Sequence, residues 1–318
     1  MSKTLKEIVD FYGKLYETVE PNDLTFKRVC NLWDMWETSE LKRPDIKKIL
    51  YDNNFYMHFF REIVDFIFTD RKNIIYLPFL INDYNYHAFT ASDGYVVLCD
   101  ERFDNLLHFI VTVCTFIAKN EYNRKEKSKI EDYLRNGIIK HYIDNDLNFF
   151  LHDNYFYDLL KSSYDTGEHA AYIWNAIRAF MFCHELGHHA LGHTSTKEMR
   201  LLQTKDKIFS YEVDSISILQ EYSADDYAFD IFIKLLEVDE KRYYTFFKYR
   251  LEYAPLLFFD ICHSIEKLGE IVTGKKIVHT KHPNPHKRRN KLRDTKIIRT
   301  DLIYFNFRDV VFNIYKKY

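Results

Sequence analysis

Tyr172-Ile-Trp-Asn-Ala-Ile-Arg-Ala-Phe-Met-Phe-Cys-His-Glu-Leu-Gly-His-His-Ala-Leu-Gly-His193 is the stretch around which the chain is organised. At its centre, His184-Glu185-Leu186-Gly187-His188 has the pattern HExxH. Residues i and i+4 share one face of an α-helix, so the His184 and His188 imidazoles can turn toward one metal ion. Glu185 stands about 100° round the helix and comes to the side of that ion. Two nitrogen ligands with a carboxylate beside them suit zinc and a base that takes a proton from water on it. The motif alone is weak, because roughly one chain in twenty of this composition would carry it by chance. Its companions in the chain therefore decide the reading.

Downstream, residues about 212–237 read as a helix anchored by Ile218, Leu219, Tyr222 and Ala228. Glu221 and Asp225 are again i and i+4, so both carboxylates fall on one of its faces. The pair follows HExxH at a distance that allows one connection and an antiparallel return. Gly187 is costly inside a helix, and a close approach of a sheet to that turn would account for it. A long helical region is expected over 239–269, ending near Gly269. His282-Pro283 then leads into a short basic helix, and an amphipathic helix is expected over about 300–317.

Upstream, Ile74–Ile81 is β-branched and aromatic, with Pro78 suited to an edge or a bulge. Tyr84–Thr90 and Tyr95–Cys99 follow, separated by Ala91-Ser-Asp93-Gly94, a hairpin signal. A small antiparallel sheet is predicted here. Residues 101–119 read as a helix capped by Asp100. Residues 120–165 alternate acidic and basic side chains, the pattern of a solvated helix face, and read as a helical insertion or lid. Residues 1–70 read as an N-terminal helical cover. The remainder, 71–318, reads as one domain carrying that insertion, the whole making one compact unit.

Composition narrows the function classes. The 318 residues are 47% hydrophobic and 29% charged, the profile of a soluble globular protein. A net charge of -2 gives no electrostatic case for nucleic acid or an anionic membrane, and the run Lys287-Arg288-Arg289 is too short to supply one. The longest apolar stretch, Leu106–Ala118, falls short of the ~20 residues that span a bilayer. The first residues lack the apolar core of a signal peptide. Cys30, Cys99, Cys114, Cys183 and Cys262 are odd in number and form no CxxC pair, which suits buried reduced thiols in a cytoplasmic protein. Oligomeric state is not legible.

Four pieces in order resemble a known family. Asn85-Tyr-His-Ala-Phe-Thr-Ala-Ser-Asp-Gly-Tyr-Val-Val-Leu98 resembles the strand-turn-strand of the M48 zinc metallopeptidases, the gluzincin group with Ste24 and HtpX-type proteases. His184–His188 with His193 resembles their HExxHxxxxH, Glu221-Tyr-Ser-Ala-Asp225 their ExxAD, and His282-Pro283 with Arg288 their HPxxxxR. The chain departs from them in lacking membrane helices, in carrying Lys281 where the family has Thr, and in its longer insertion at 120–165. Size and motif position also resemble the phage-exclusion Lit-type peptidases.

The resemblance implies an α+β, mostly helical zincin-like domain with a small antiparallel sheet beside the HExxH helix. It implies Zn2+ held by His184, His188 and Glu221, with Glu185 as general base on zinc-bound water in the cleavage of a protein or peptide. Asp225 is expected to hydrogen-bond a ligand histidine. His282, Arg288 and Tyr222 are candidates to stabilise the oxyanion, Arg288 alternatively forming a structural ion pair. The strand Tyr95, Val96, Val97, Leu98 is expected at the sheet edge, where a substrate could add as a further strand. His189 and His193 fall outside the ligand set. The competing class is a non-catalytic zinc-containing sensor or binding module, which would have no need of Glu185.

Overall fold

The computed structural model describes residues 55–68, 73–79, 86–91, 94–143, 154–195, 197–203, 208–214, 217–241, 249, 251–277, 279 and 282–316. Most of the helical cover expected over residues 1–70 lies outside them. The chain divides into two compact units, Met1–Glu101 with Phe182–Ala228, and Arg102–Met181 with Phe229–Tyr318.

The first unit begins with α1 (Phe55–Ile67) and the strands β1 (Asn73–Phe79), β2 (Tyr86–Ala91) and β3 (Gly94–Asp100). Ala91 pairs with Gly94, so Ser92 and Asp93 alone separate β2 from β3, as the Asp-Gly signal predicts. β1 joins β3 in parallel, with Ile74 opposite Tyr95. The strand order is β1-β3-β2. Pro78 therefore sits in an edge strand of the described sheet, the position that tolerates a residue without an N–H.

Two expectations are corrected by this order. The sheet is mixed, because β1 runs parallel to its neighbour. The strand Tyr95, Val96, Val97, Leu98 is the middle of the described sheet rather than its edge. A strand paired on both sides has its main-chain groups committed to two ladders and offers no edge to a peptide.

The long helix α5 (Tyr164–Ala190) carries HExxH. Its positions from Ala176 to His189 are all buried, which fits a run that is apolar almost all round. It starts earlier than expected because Ser163 caps it, the amide of Thr166 donating to Ser163 Oγ at 3.4 Å. Within the first unit, Phe182 packs edge-on against Phe60 of α1, ring centroids 5.1 Å apart, and against Tyr86 of β2 at 5.8 Å. A 3-10 turn, His193–Ser195, follows.

Next comes a second sheet, the antiparallel pair β4 (Lys197–Gln203) and β5 (Ile208–Asp214). The helix expected from 212 is therefore corrected: α6 spans Ile218–Lys241. Its start is set by a reciprocal cap, Ser217 N donating to Gln220 Oε1 at 2.8 Å and Gln220 N to Ser217 Oγ at 3.3 Å. Phe209-Ser-Tyr-Glu-Val-Asp214 alternates apolar and polar residues, a strand period that outweighs the helical one there.

The second unit is helical: α2 (Glu101–Lys119), α3 (Arg124–Ile138), α4 (Asn154–Ser162), α7 (Ala254–Thr273), α8 (Pro285–Thr295) and α9 (Leu302–Lys316), with the flanking turns of α5 and α6. Asn123 and Glu126 form a capping box on α3. The alternating charge of α3 is only partly solvated, since Glu131 and Arg135 are buried and Arg135 Nε donates to Ile314 O of α9 at 2.9 Å. Arg178 and Asp104 pair at 3.0 Å in the core. Helix α7 ends beyond the expected Gly269, at Gly274, whose φ of 67° is left-handed and favours glycine. Among the described residues, no helix is long and apolar enough to cross a membrane. Cys99, Cys114, Cys183 and Cys262 are free thiols.

Candidate metal centre

Helix α5 supplies His184 and His188 one turn apart, and the first turn of α6 supplies Glu221. All three are buried, and one ligand atom from each lies within 4.8 Å of the others. Nε2 of His184 is 3.1 Å from Nε2 of His188. The Glu221 carboxylate reaches to 3.5 Å from His184 Nε2 and 3.7 Å from His188 Nε2. A tetrahedral ion bound at ~2.0–2.1 Å holds its ligand atoms roughly 3.3 Å apart, so these spacings fit one such ion. The donor chemistry fits as well. A buried carboxylate and two imidazole nitrogens converging on one point are a costly arrangement for the protein alone and a suitable one around a divalent cation.

Orientation of the ligands comes from behind them. Asp225, one turn after Glu221 on α6, places Oδ1 3.0 Å from His184 Nδ1. A carboxylate accepts only, so Nδ1 carries the proton and Nε2 presents its lone pair to the site. His188 Nδ1 lies 3.1 Å from His193 Nδ1. His193 Nε2 in turn lies 3.4 Å from Ser223 Oγ, which donates to Gln220 O at 3.0 Å. Burial, and then the neighbouring His184, hold the His193 imidazole below its ordinary pKa, with Glu221 pulling the other way.

The approach of α5 to α6 is set at Gly187. A Cβ there would meet Tyr227 Cδ1 at 3.1 Å and Ala224 O at 3.5 Å. The close neighbour is thus α6 and not the sheet, which corrects the expectation for this glycine. Absence of a side chain lets the turn between the two histidines sit against the turn between Glu221 and Asp225. The sheet approaches two residues further on, at His189, whose ring stacks on Tyr95 at 4.3 Å. His189 Nδ1 lies 3.3 Å from Thr194 Oγ1, to which Thr90 Oγ1 of β2 donates at 2.7 Å. This tie fixes the end of the HExxH helix to the edge strand β2.

The structure thus brings His184, His188, Glu221 and Asp225 together, with Glu185 buried on the same helix turn. Tyr95 belongs to the neighbourhood as a ring stacked on His189. Val96, Val97 and Leu98 share its middle strand. His282 and Arg288 lie in the second unit. The Arg288 guanidinium sits 4.8 Å from the Phe259 ring centroid, and its neighbour Arg289 pairs with the buried Asp260 at 2.8 Å. His193, Ser223 and Thr194 carry contacts that sequence reading did not assign. The signal for His193 was its place five residues after His188, beyond Gly192.

Residues 161–304 match the family Peptidase U49, so this part of the chain, which contains every motif from HExxH to His282-Pro283 and Arg288, is similar to a family of peptidases. No curated protein and no solved structure matches the chain. The family match and the geometry together support a peptidase with a candidate metal centre at His184, His188 and Glu221.

Proposed function

We propose that the chain is a zinc-dependent metalloendopeptidase, built on an M48-like gluzincin plan, that hydrolyses peptide bonds of a cytosolic protein. The observation that carries this is the convergence of His184, His188 and Glu221 beside a buried Glu185, in a stretch similar to a peptidase family. Two histidines and a glutamate are a ligand set that leaves zinc an open position for reaction. When bound, zinc supplies a Lewis acid that polarises a peptide carbonyl and brings the pKa of water down to ~7.

The chain's own residues do the rest. Glu185 takes the proton of the attacking water and returns it to the leaving amine nitrogen. Asp225 keeps the proton of His184 on Nδ1, away from the metal side. The roles of His282 and Arg288 at the developing oxyanion rest on the family resemblance alone. Free buried thiols at Cys99, Cys114 and Cys183 support a reducing compartment.

The test is Glu185→Gln beside the wild type, with zinc measured by elemental analysis and cleavage followed on unfolded protein substrates. About one zinc per chain in both, with cleavage lost in the variant by a factor of ~10²–10⁴, is expected. Equal cleavage by the variant would refute the mechanism, and a wild type that takes up no zinc would refute the metal site.

A further inference from the structure

We infer that His193 and Ser223 form a directed hydrogen-bond chain that fixes the tautomer in which His188 meets the metal. The inference rests on the metal reading of the site and deepens it. Its direction can be worked out from the far end. Gln220 O is a carbonyl and accepts only, so the single hydroxyl proton of Ser223 is committed to it at 3.0 Å. Ser223 Oγ therefore meets His193 Nε2, at 3.4 Å, as an acceptor, and Nε2 carries a proton. A neutral imidazole protonated there has its lone pair on Nδ1. That lone pair faces His188 Nδ1 at 3.1 Å, so His188 Nδ1 must donate. The remaining nitrogen of His188, Nε2, then presents its lone pair to His184 and Glu221.

Each ligand histidine is thus oriented by a different device. His184 is held by the carboxylate of Asp225 and His188 by a neutral imidazole. A neutral partner orients the ring without adding a further negative charge beside Glu221 and Asp225. The backbone makes the contact available. Gly192 takes φ 72°, in the left-handed region, and so turns the chain at the end of α5 and brings His193 back over His188. His193 is a positioning residue in this arrangement, acting through His188 and standing outside the convergent group of His184, His188 and Glu221.

Two substitutions separate the hydrogen bond from the shape of the ring. His193→Phe keeps a ring and removes the acceptor. His193→Asn removes the ring and keeps an acceptor oxygen close to the place of Nδ1. The measurement is zinc affinity of the full chain by competition with a chromophoric chelator, with Glu221→Ala as the reference for a lost ligand. Thermal unfolding of the zinc-free proteins reports folding separately. The Phe variant is expected to bind zinc ~10–100-fold more weakly and the Asn variant to recover most of that loss. Wild-type affinity in the Phe variant, or equal weakening in both variants, would overturn the inference. If the wild type and Glu221→Ala were equally without zinc, the metal reading itself would fail and this inference with it, an outcome distinct from the other two.

Discussion

Removing the carboxylate behind His184 is the sharpest probe of the site. Asp225 Oδ1 stands 3.0 Å from His184 Nδ1, and the two residues are 3% and 7% exposed. In Asp225→Ala the Nδ1–H loses its acceptor inside the protein, and a buried donor left without one costs ~1–3 kcal/mol. Such a loss appears in zinc affinity as about 5- to 150-fold, since 1.4 kcal/mol is tenfold. That range brackets the ~10–100-fold usual when the partner of a metal-ligating histidine is removed. A second effect acts in the same direction. Without Asp225 the ring can move its proton to Nε2, which then ceases to be a ligand. Asp225→Asn, whose amide oxygen still accepts, should fall at the lower end. The assay is chelator competition near neutral pH, with thermal unfolding of the zinc-free proteins as a control for folding. A folded Ala variant that binds zinc as tightly as the wild type would refute the role of this contact and return Asp225 to an ordinary acidic side chain.

Gly187→Ala requires the Tyr227 ring to yield by a few tenths of an ångström, and the helix gains about 1 kcal/mol in propensity, so chemical denaturation should show little net change. Gly187→Val crowds the Ala224 backbone as well and should cost ~1–3 kcal/mol and weaken zinc binding, because Ala224 lies between Glu221 and Asp225. Arg289→Ala leaves Asp260, 1% exposed, without the guanidinium that meets it at 2.8 Å, while Arg308 remains at 3.5 Å; urea denaturation should show a loss near the lower end of the ~3–5 kcal/mol of a broken buried pair. His169 lies against the Tyr249 ring, and burial, with the charge of Lys119, pushes its pKa down to about 4. Between there and the ordinary 6.5 the unfolded chain binds the extra proton. Its contribution is therefore complete above pH 6.5, is lost as pH falls through about 4, and amounts to at most ~3 kcal/mol. His169→Phe should flatten the acid side of a stability-against-pH curve, and an unchanged slope would exclude His169 as a source of it.

Much of this molecule was legible locally. The i, i+4 spacing of His184 and His188, and of Glu221 and Asp225, states which side chains share a helical face before any tertiary contact exists. Asp93-Gly94 marked the hairpin that joins β2 and β3, and Pro78 marked an edge strand. The misreadings have physical causes. The strand β5 was hidden because Phe209–Asp214 is short and leads into a helix whose apolar period masked its own alternation. The middle position of β3 was illegible because strand order depends on which neighbours pair, and β1 reaches it from beyond β2 in the chain. The crowding at Gly187 was foreseen, but its neighbour was not, since a missing side chain says that something comes close and not what it is.

By itself, then, the sequence determined the chemical kinds of the site: two imidazoles and two carboxylates, paired on two helices, with Glu185 beside them. Those pairings follow from the pitch of the α-helix alone. Only the tertiary structure decided that Glu221 comes to 3.5 and 3.7 Å from the two imidazoles, that Asp225 stands behind His184, and that His193 turns back onto His188. These are distances between elements. They are set by how α5 packs on α6 at Gly187 and by the left-handed turn at Gly192, and no local spacing along the chain encodes them.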